Sequence, residues 1–116
     1  MKEAPADQLS WDTFSQVDMR VGTVVNAKAF EQANRPAYIL NIDFGPLGLR
    51  KSSAQITSYY EAEALIGQQV IAVVNFPKKQ IATIQSECLV LGVVGENNAV
   101  TLVQPERPVQ NGWRIG

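Results

Sequence analysis

The sequence contains no histidine and a single cysteine, Cys88. Without histidine there is no Ser-His or Cys-His nucleophile pair and no imidazole metal ligand. One thiol builds neither an internal disulfide nor a zinc thiolate site, and it fits a reducing compartment. Charge is scarce too, at 18% of residues, below the usual quarter. No uncharged apolar run approaches the ~20 residues of a membrane helix. The opening MKEAPADQLS has no apolar signal core. GxGxxG and P-loop patterns are absent. Glu61 and Glu63, two apart, point to different sides of a helix. The expectation is a cytoplasmic chain without a membrane span, which is not an enzyme and holds no cofactor and no metal.

What is present is enough for one folded domain. The chain has 116 residues, 46% of them apolar, and 1–116 is read as a single unit. SWDTFSQ reads as a helical turn capped by Ser10. VGTVVNAKAF is rich in β-branched residues and alternates, with Val21, Thr23 and Val25 on one side and Gly22, Val24 and Asn26 on the other. EQANRP is a polar loop. YILNIDF alternates strictly and places Leu40, Ile42 and Phe44 on one face. After the GPLG turn, LRKSSAQ returns as a third strand. SYYEAEALIG carries a capping box, Ser58 with Glu61, and a stop at Gly67. VIAVVNF is a fourth strand, CLVLGVV a fifth, and AVTLVQP a further short one. Three strands, one short helix and two more strands is the chain order of an OB-fold. The expected class is therefore mainly β, a five-stranded barrel with N- and C-terminal extensions.

The net charge is −1, which argues against a nucleic-acid partner, but the charges are not spread evenly. Residues 35–86 carry Arg35, Arg50, Lys51, Lys78 and Lys79 against Asp43, Glu61 and Glu63. On the OB-fold plan Arg35 falls in the loop between strands 1 and 2, and Arg50 and Lys51 fall on strand 3. Lys78 and Lys79 fall in the loop between strands 4 and 5. These are the elements with which that fold grips nucleic acid. A locally basic face acts on phosphates even on an acidic molecule, because screening ends interactions beyond roughly 8–10 Å. The segment VIAVVNFPKK shows the pattern at its sharpest. An apolar strand stops at Pro77, which cannot continue a ladder, and two lysines follow. Large aromatics are mostly core, so Phe76 is expected to be buried, with a stacking surface beside the lysines as the alternative. For the lysines, binding and plain solvation both remain open.

Five blocks, DMRVGTVVNAKAF, IDFGPLGLRKSSAQIT, LIGQQVIAVVNFP, SECLVLG and NGWRIG, resemble the CsaA-type export-related chaperones of the tRNA-binding-domain superfamily. The resemblance runs from Asp12 to Gly116. It implies an OB-fold homodimer that binds tRNA and exposed segments of unfolded or precursor polypeptides. The alternative is a dedicated tRNA-binding protein, or a synthetase cofactor, without a chaperone role. Residue by residue, it implies tRNA contacts from Arg50, Ser52, Ser53, Asn75, Lys79 and Ser86, to which the charge map adds Arg35 and Lys78. Arg50 is the ligand-side charge and Lys51 the solvated one. Arg20 is a structural partner of a carboxylate. Thr83 stands where many of these relatives have glycine, in the turn before strand five. For peptide binding or subunit contact the apolar candidates are Trp11, Phe14, Tyr60 and Trp113. Residues 1–10 are expected to be flexible, and the tail 105–116 to dock at a dimer interface.

Overall fold

A computed structural model describes residues 3–116; the expectation for 1–10 falls in part on residues 1 and 2, which lie outside the described residues. Strand β1 (Met19–Ala29) is the longest element and organises the others. Its first half pairs antiparallel with β4 (Gln69–Val73), Met19 opposite Val73 through Thr23 opposite Gln69. Its second half pairs with β2 (Tyr38–Asp43). To serve both neighbours the strand must coil, and the simple alternation expected for it does not survive. The register against β2 shifts between Val24 and Asn26, an irregularity that bends a strand and adds twist. Val24 and Ala27 are both buried as a result, while Val25 is 46% exposed. Gly22, before the bend, packs against side chains of β2 and Phe44 with no room for a side chain of its own. A β-carbon there would sit 2.6 Å from Ile42 Cγ2 and 2.7 Å from the Phe44 ring.

The alternation of β2 holds: Leu40, Ile42 and the following Phe44 are all fully buried. Strand β3 (Leu49–Ala54) pairs along the whole of β2. The expected fifth strand is broken. It begins as β7 (Leu89–Val90), which pairs with β4, and restarts as β8 (Gly92–Val94), which forms a hairpin with β9 (Val100–Leu102). A further hairpin, β5 (Lys79–Ile81) with β6 (Ile84–Ser86), stands inside the loop between β4 and β7. The main sheet therefore runs β3-β2-β1-β4-β7. Its two edges approach each other, giving a nearly closed five-stranded antiparallel barrel of the OB-fold kind.

Among the described residues two short α-helices accompany the strands. The single-turn helix α1 (Trp11–Ser15) is capped as expected, with Ser10 Oγ accepting from Thr13 N at 3.1 Å. The second helix is shorter than expected. Helix α2 (Ala62–Leu65) begins after Glu61, and no side-chain capping bond forms. Tyr60 explains the late start. Its carbonyl accepts from Tyr38 Oη at 2.7 Å and its hydroxyl accepts from Leu102 N at 3.0 Å. Tied to β2 and β9, residue 60 is not free to take part in a first helical turn. Leu65 is fully buried and fills one end of the barrel, and Gly67 ends the helix at φ 89. Among the described residues no helix is long and apolar enough to cross a membrane.

The tail is docked, against its own barrel. Residues 112–115 lie along the first half of β1, on the edge that β2 leaves uncovered. Gly112 N donates to Val21 O at 2.8 Å, Val21 N to Trp113 O at 3.0 Å, and Ile115 N to Met19 O at 2.9 Å. The Gln69 amide secures the approach by accepting from Val109 N and donating to Val109 O. Asp18 gathers the charges nearby. Arg20 Nε is 2.6 Å from its carboxylate, Arg20 Nη1 donates to Gly112 O, and Arg114 stands at 3.7 Å. Arg20 thus has the carboxylate partner expected of it. The Arg20 hydrogen bond is the main reason the Asp18 carboxyl titrates below its ordinary 3.8; Arg114 and Arg50 add to the effect and partial burial opposes it.

A lowered folded-state pKa stabilises the fold above the unfolded value, and that stabilisation is lost as pH falls through the folded one. Asp18→Asn is expected to lower stability at pH 7 by about 1 kcal/mol, a discounted value for a charged bond whose two side chains are each 25% exposed. Urea titrations of parent and variant should converge as pH drops below about 4. A gap that stays constant down to pH 2 would show that the charge contributes nothing.

Candidate nucleic-acid interface

The segment from Asn75 to Ser86 is built rather than loose. Val74 N donates to Asp18 O at 2.9 Å and Val74 O accepts from Arg50 Nη1 at 3.0 Å. The Asn75 side chain accepts from Asp18 N at 3.0 Å and donates to Gln16 O at 2.7 Å. The end of β4 is thereby fastened both to β3 and to the turn that leads from α1 into β1. The amide expected to contact a ligand is engaged at both of its ends within the fold. Phe76, expected in the core, is 56% exposed. The reason is positional: Asn75 is held against residues 16–18, and the next residue is directed off the barrel.

After Pro77 the chain turns into the β5–β6 hairpin. Its tip is Ala82–Thr83, and the left-handed backbone falls on Ala82, at φ 47, not on Thr83. Ile81 and Ile84 pack on a second small core of Phe30, Ala37 and Ile39. Phe30 and Ala37 stand at the two ends of the loop between β1 and β2, and Ile39 lies on β2. The two loops that flank the OB-fold binding face are therefore joined by one apolar cluster. Arg35 stands exposed on one loop and Lys79 on the other.

Between the hairpin and the barrel lies an open groove of about 700 Å³. Phe76, Ile81 and Leu89 supply its apolar surface; Ser53, Ser86 and Lys79 supply polar groups. Ser53 and Ser86 also close the barrel, since Ser53 N donates to Ser86 Oγ at 3.1 Å. Ser52 has a different place. It is 1% exposed and its hydroxyl donates to Cys88 O at 3.1 Å, so it is a core residue with no surface for a ligand. Adjacent strand residues face opposite ways, and Arg50 and Lys51 do so. Arg50 shares the inward side with Ser52 and Ala54 and is half-buried. Its Nε is buried without a partner while Nη1 holds Val74 O. Lys51 is the exposed one.

Glu87 is the residue that the charge map did not identify. Its Oε1 accepts from Lys51 N at 2.9 Å, and its Oε2 lies 3.5 Å from Lys78 Nζ. Lys78 is thus partly neutralised from within, whereas Lys79 and Arg35 make no ion pair among the described residues. Sequence separation hid this pairing; only the Ser-Glu block hinted at a role.

The apolar candidates lie elsewhere. Trp11 is 88% exposed, Phe14 is partly covered, and Trp113 is 57% exposed. Arg114 Nη2 donates to Ser15 O at 2.7 Å, so the tail meets the end of α1 and these side chains sit on neighbouring segments. Tyr60 does not join them, since its ring packs on the main core and its hydroxyl is engaged by Leu102. Cys88 is buried, and burial pushes its thiol up to about 11 against a weaker opposing bond from Ser52. Among the described residues no group of three or more His, Cys, Asp or Glu is placed to hold a metal ion.

A family model described as "Putative tRNA binding domain" matches residues 19–114. The crystal structure of the chaperone CsaA from Bacillus anthracis superposes with a TM-score of 0.91 at 49% identity, covering 95% of this chain and 100% of that one. The CsaA chaperone protein of Picrophilus torridus gives 0.88 at 43% identity, covering 94% and 100%. Among curated proteins, the methionine-tRNA ligase of Methanococcoides burtonii is 34% identical over 110 residues, which is 94% of this chain and 16% of the ligase. The chain spans roughly a sixth of the curated relatives' length.

Two outcomes follow from this geometry. Arg50→Ala removes a charged bond to Val74 O and is expected to cost about 1–3 kcal/mol by chemical denaturation. A loss below about 0.5 kcal/mol would mean that the guanidinium is mere surface charge. The thiol of Cys88 should resist alkylation at pH 8 in the native protein and react readily in urea, because its thiolate is disfavoured by burial. Equal native and denatured rates would contradict its placement.

Proposed function

Because the chain belongs to that tRNA-binding-domain family, in its CsaA-type branch, we propose that it binds structured tRNA through the face made by the 30–37 loop, the β5–β6 hairpin and the groove beside them. The observation that carries this reading is the apolar cluster of Phe30, Ala37, Ile39, Ile81 and Ile84, which holds two cation-bearing loops as one surface. Arg35, Lys78 and Lys79 meet phosphates there, and each contact releases counterions, so affinity is salt-dependent and largely blind to sequence. Ser53 and Ser86 on the groove wall suit phosphate oxygens or 2′-hydroxyls. No catalytic step is involved, and the expected setting is the cytoplasm.

A single copy offers few unpaired cations. The working form is a homodimer, in which two copies act on one tRNA by effective concentration. The exposed Trp11, Val17 and Trp113 support this assembly, as large apolar groups at a surface favour an apolar partner. They equally support a second activity, capture of exposed segments of precursor polypeptides. The similarity to the CsaA chaperone structures favours that activity over a purely tRNA-binding role.

Titration of tRNA affinity against salt tests the reading. Lys79→Ala and Arg35→Ala should each weaken binding for all tRNAs and flatten the log–log salt slope by about one unit per lost phosphate contact. Glu87→Gln removes the internal counter-charge of Lys78 and should tighten binding. Salt-independent binding, or equal slopes in all variants, would remove the phosphate face from consideration. Peptide capture should change little with salt and weaken in Trp11→Ala.

A further inference from the structure

We infer that Phe76 is a stacking platform for one unpaired base of the RNA, so that the ligand is recognised at a loop or end where a nucleotide is unstacked, in addition to its phosphates. The inference rests on the tRNA reading above and specifies the substrate feature that this face takes.

The ring is exposed by construction. The backbone entering it is held by four hydrogen bonds: Val74 N to Asp18 O, Arg50 Nη1 to Val74 O, Asp18 N to Asn75 Oδ1, and Asn75 Nδ2 to Gln16 O. The residue after it is Pro77, whose φ is locked by its ring. Phe76 therefore has little freedom to fold back into the core, and an apolar ring held in water is a surface waiting for a face to cover it. Its surroundings specify the partner. The groove beside it is walled by Ile81 and Leu89, which suit the flat apolar face of a base, and by Ser53 and Ser86, which suit its edge. Lys78 and Lys79 follow Pro77 in sequence and line the same groove. An apolar platform flanked by cations complements a nucleotide, which has an aromatic face and a negative charge about one residue's reach apart. A duplex offers only its phosphates and grooves and would leave the ring uncovered.

The test compares two probes on the full chain. One is a single-stranded oligoribonucleotide of about eight nucleotides carrying one 2-aminopurine, within the site size of such folds. The other is a blunt RNA duplex. The parent should change the 2-aminopurine fluorescence on binding. Phe76→Ala should abolish that change and weaken the single strand by about 5- to 150-fold, the span of one stacked base. The salt slope should stay as in the parent, since no phosphate contact is lost, and Phe76→Trp should restore both signals. Duplex affinity should be the same in all three. Unchanged single-strand affinity in Phe76→Ala overturns the inference, as does an equal loss on both probes. It is also overturned if the variant loses affinity only for an apolar peptide, or changes from dimer to monomer, because the ring then serves another partner. A parent that binds tRNA with normal salt dependence while Phe76→Ala changes nothing leaves the phosphate reading standing; a parent that binds no RNA removes both.

Discussion

The seam between β3 and residues 86–88 is the constraint on which the rest of the molecule depends. The last strand of the barrel, β7, is only two residues long, too short to form a ladder along β3. Closure comes instead from a short mixed series of bonds. Glu87 N donates to Lys51 O at 2.7 Å, and the Glu87 carboxylate accepts a hydrogen bond from Lys51 N in return. Ser86 and Ser52 add the next two ties. Side chains thus do at the seam what backbone does elsewhere. The arrangement leaves the sheet edge partly open, and the groove lies along that opening.

The same seam determines the electrostatics. Glu87 must face β3 to close the barrel, and in doing so it brings its second oxygen to Lys78. One of two adjacent lysines is moderated while its neighbour stays unpaired. Cys88, one residue further, is drawn inside, where desolvation keeps its thiol protonated. The C-terminal end of β4 follows a comparable logic. Asn75 is a polar residue at the edge of a buried strand, and it is satisfied by the backbone of residues 16–18. Satisfying it commits Phe76 to solvent. Closure and clamping are structural requirements, and the shape and charge of the candidate face result from them.

The tail adds a third element. β1 is long enough to pair with β2 at one end and β4 at the other, which leaves part of one edge unpaired at its start. An exposed edge of that kind invites non-specific pairing. Residues 112–115 cover it, and the Asp18–Arg20–Arg114 group holds them in place. The tail therefore has a role within its own fold, and Trp113 remains at the surface.

Much of the architecture was legible from local rules. Period-two alternation located β2 and its core residues, because one face of a half-buried strand has to be apolar. Ser10 marked an end through its capping hydroxyl, Gly67 and Pro77 through their own backbone chemistry, and the missing histidine excluded whole classes of catalysis. The clustering of cations between residues 35 and 86 pointed to the loops and strand now seen at one face. What sequence could not show were pairings between residues far apart in the chain. The Ser58–Glu61 cap lost to bonds that Tyr60 makes to Tyr38 and Leu102. The alternation of β1 lost to the bend that lets it serve two neighbours. Ser52 and Asn75 were legible as polar residues, but whether a polar group serves a ligand or the fold depends on what stands opposite once the barrel has closed. The chain by itself determined where strands run, where they stop and where positive charge gathers, since those follow from each residue and its near neighbours. Only the tertiary structure decided that Phe76 is outside, Ser52 inside and Lys78 paired, because each depends on contacts that closure creates between segments tens of residues apart.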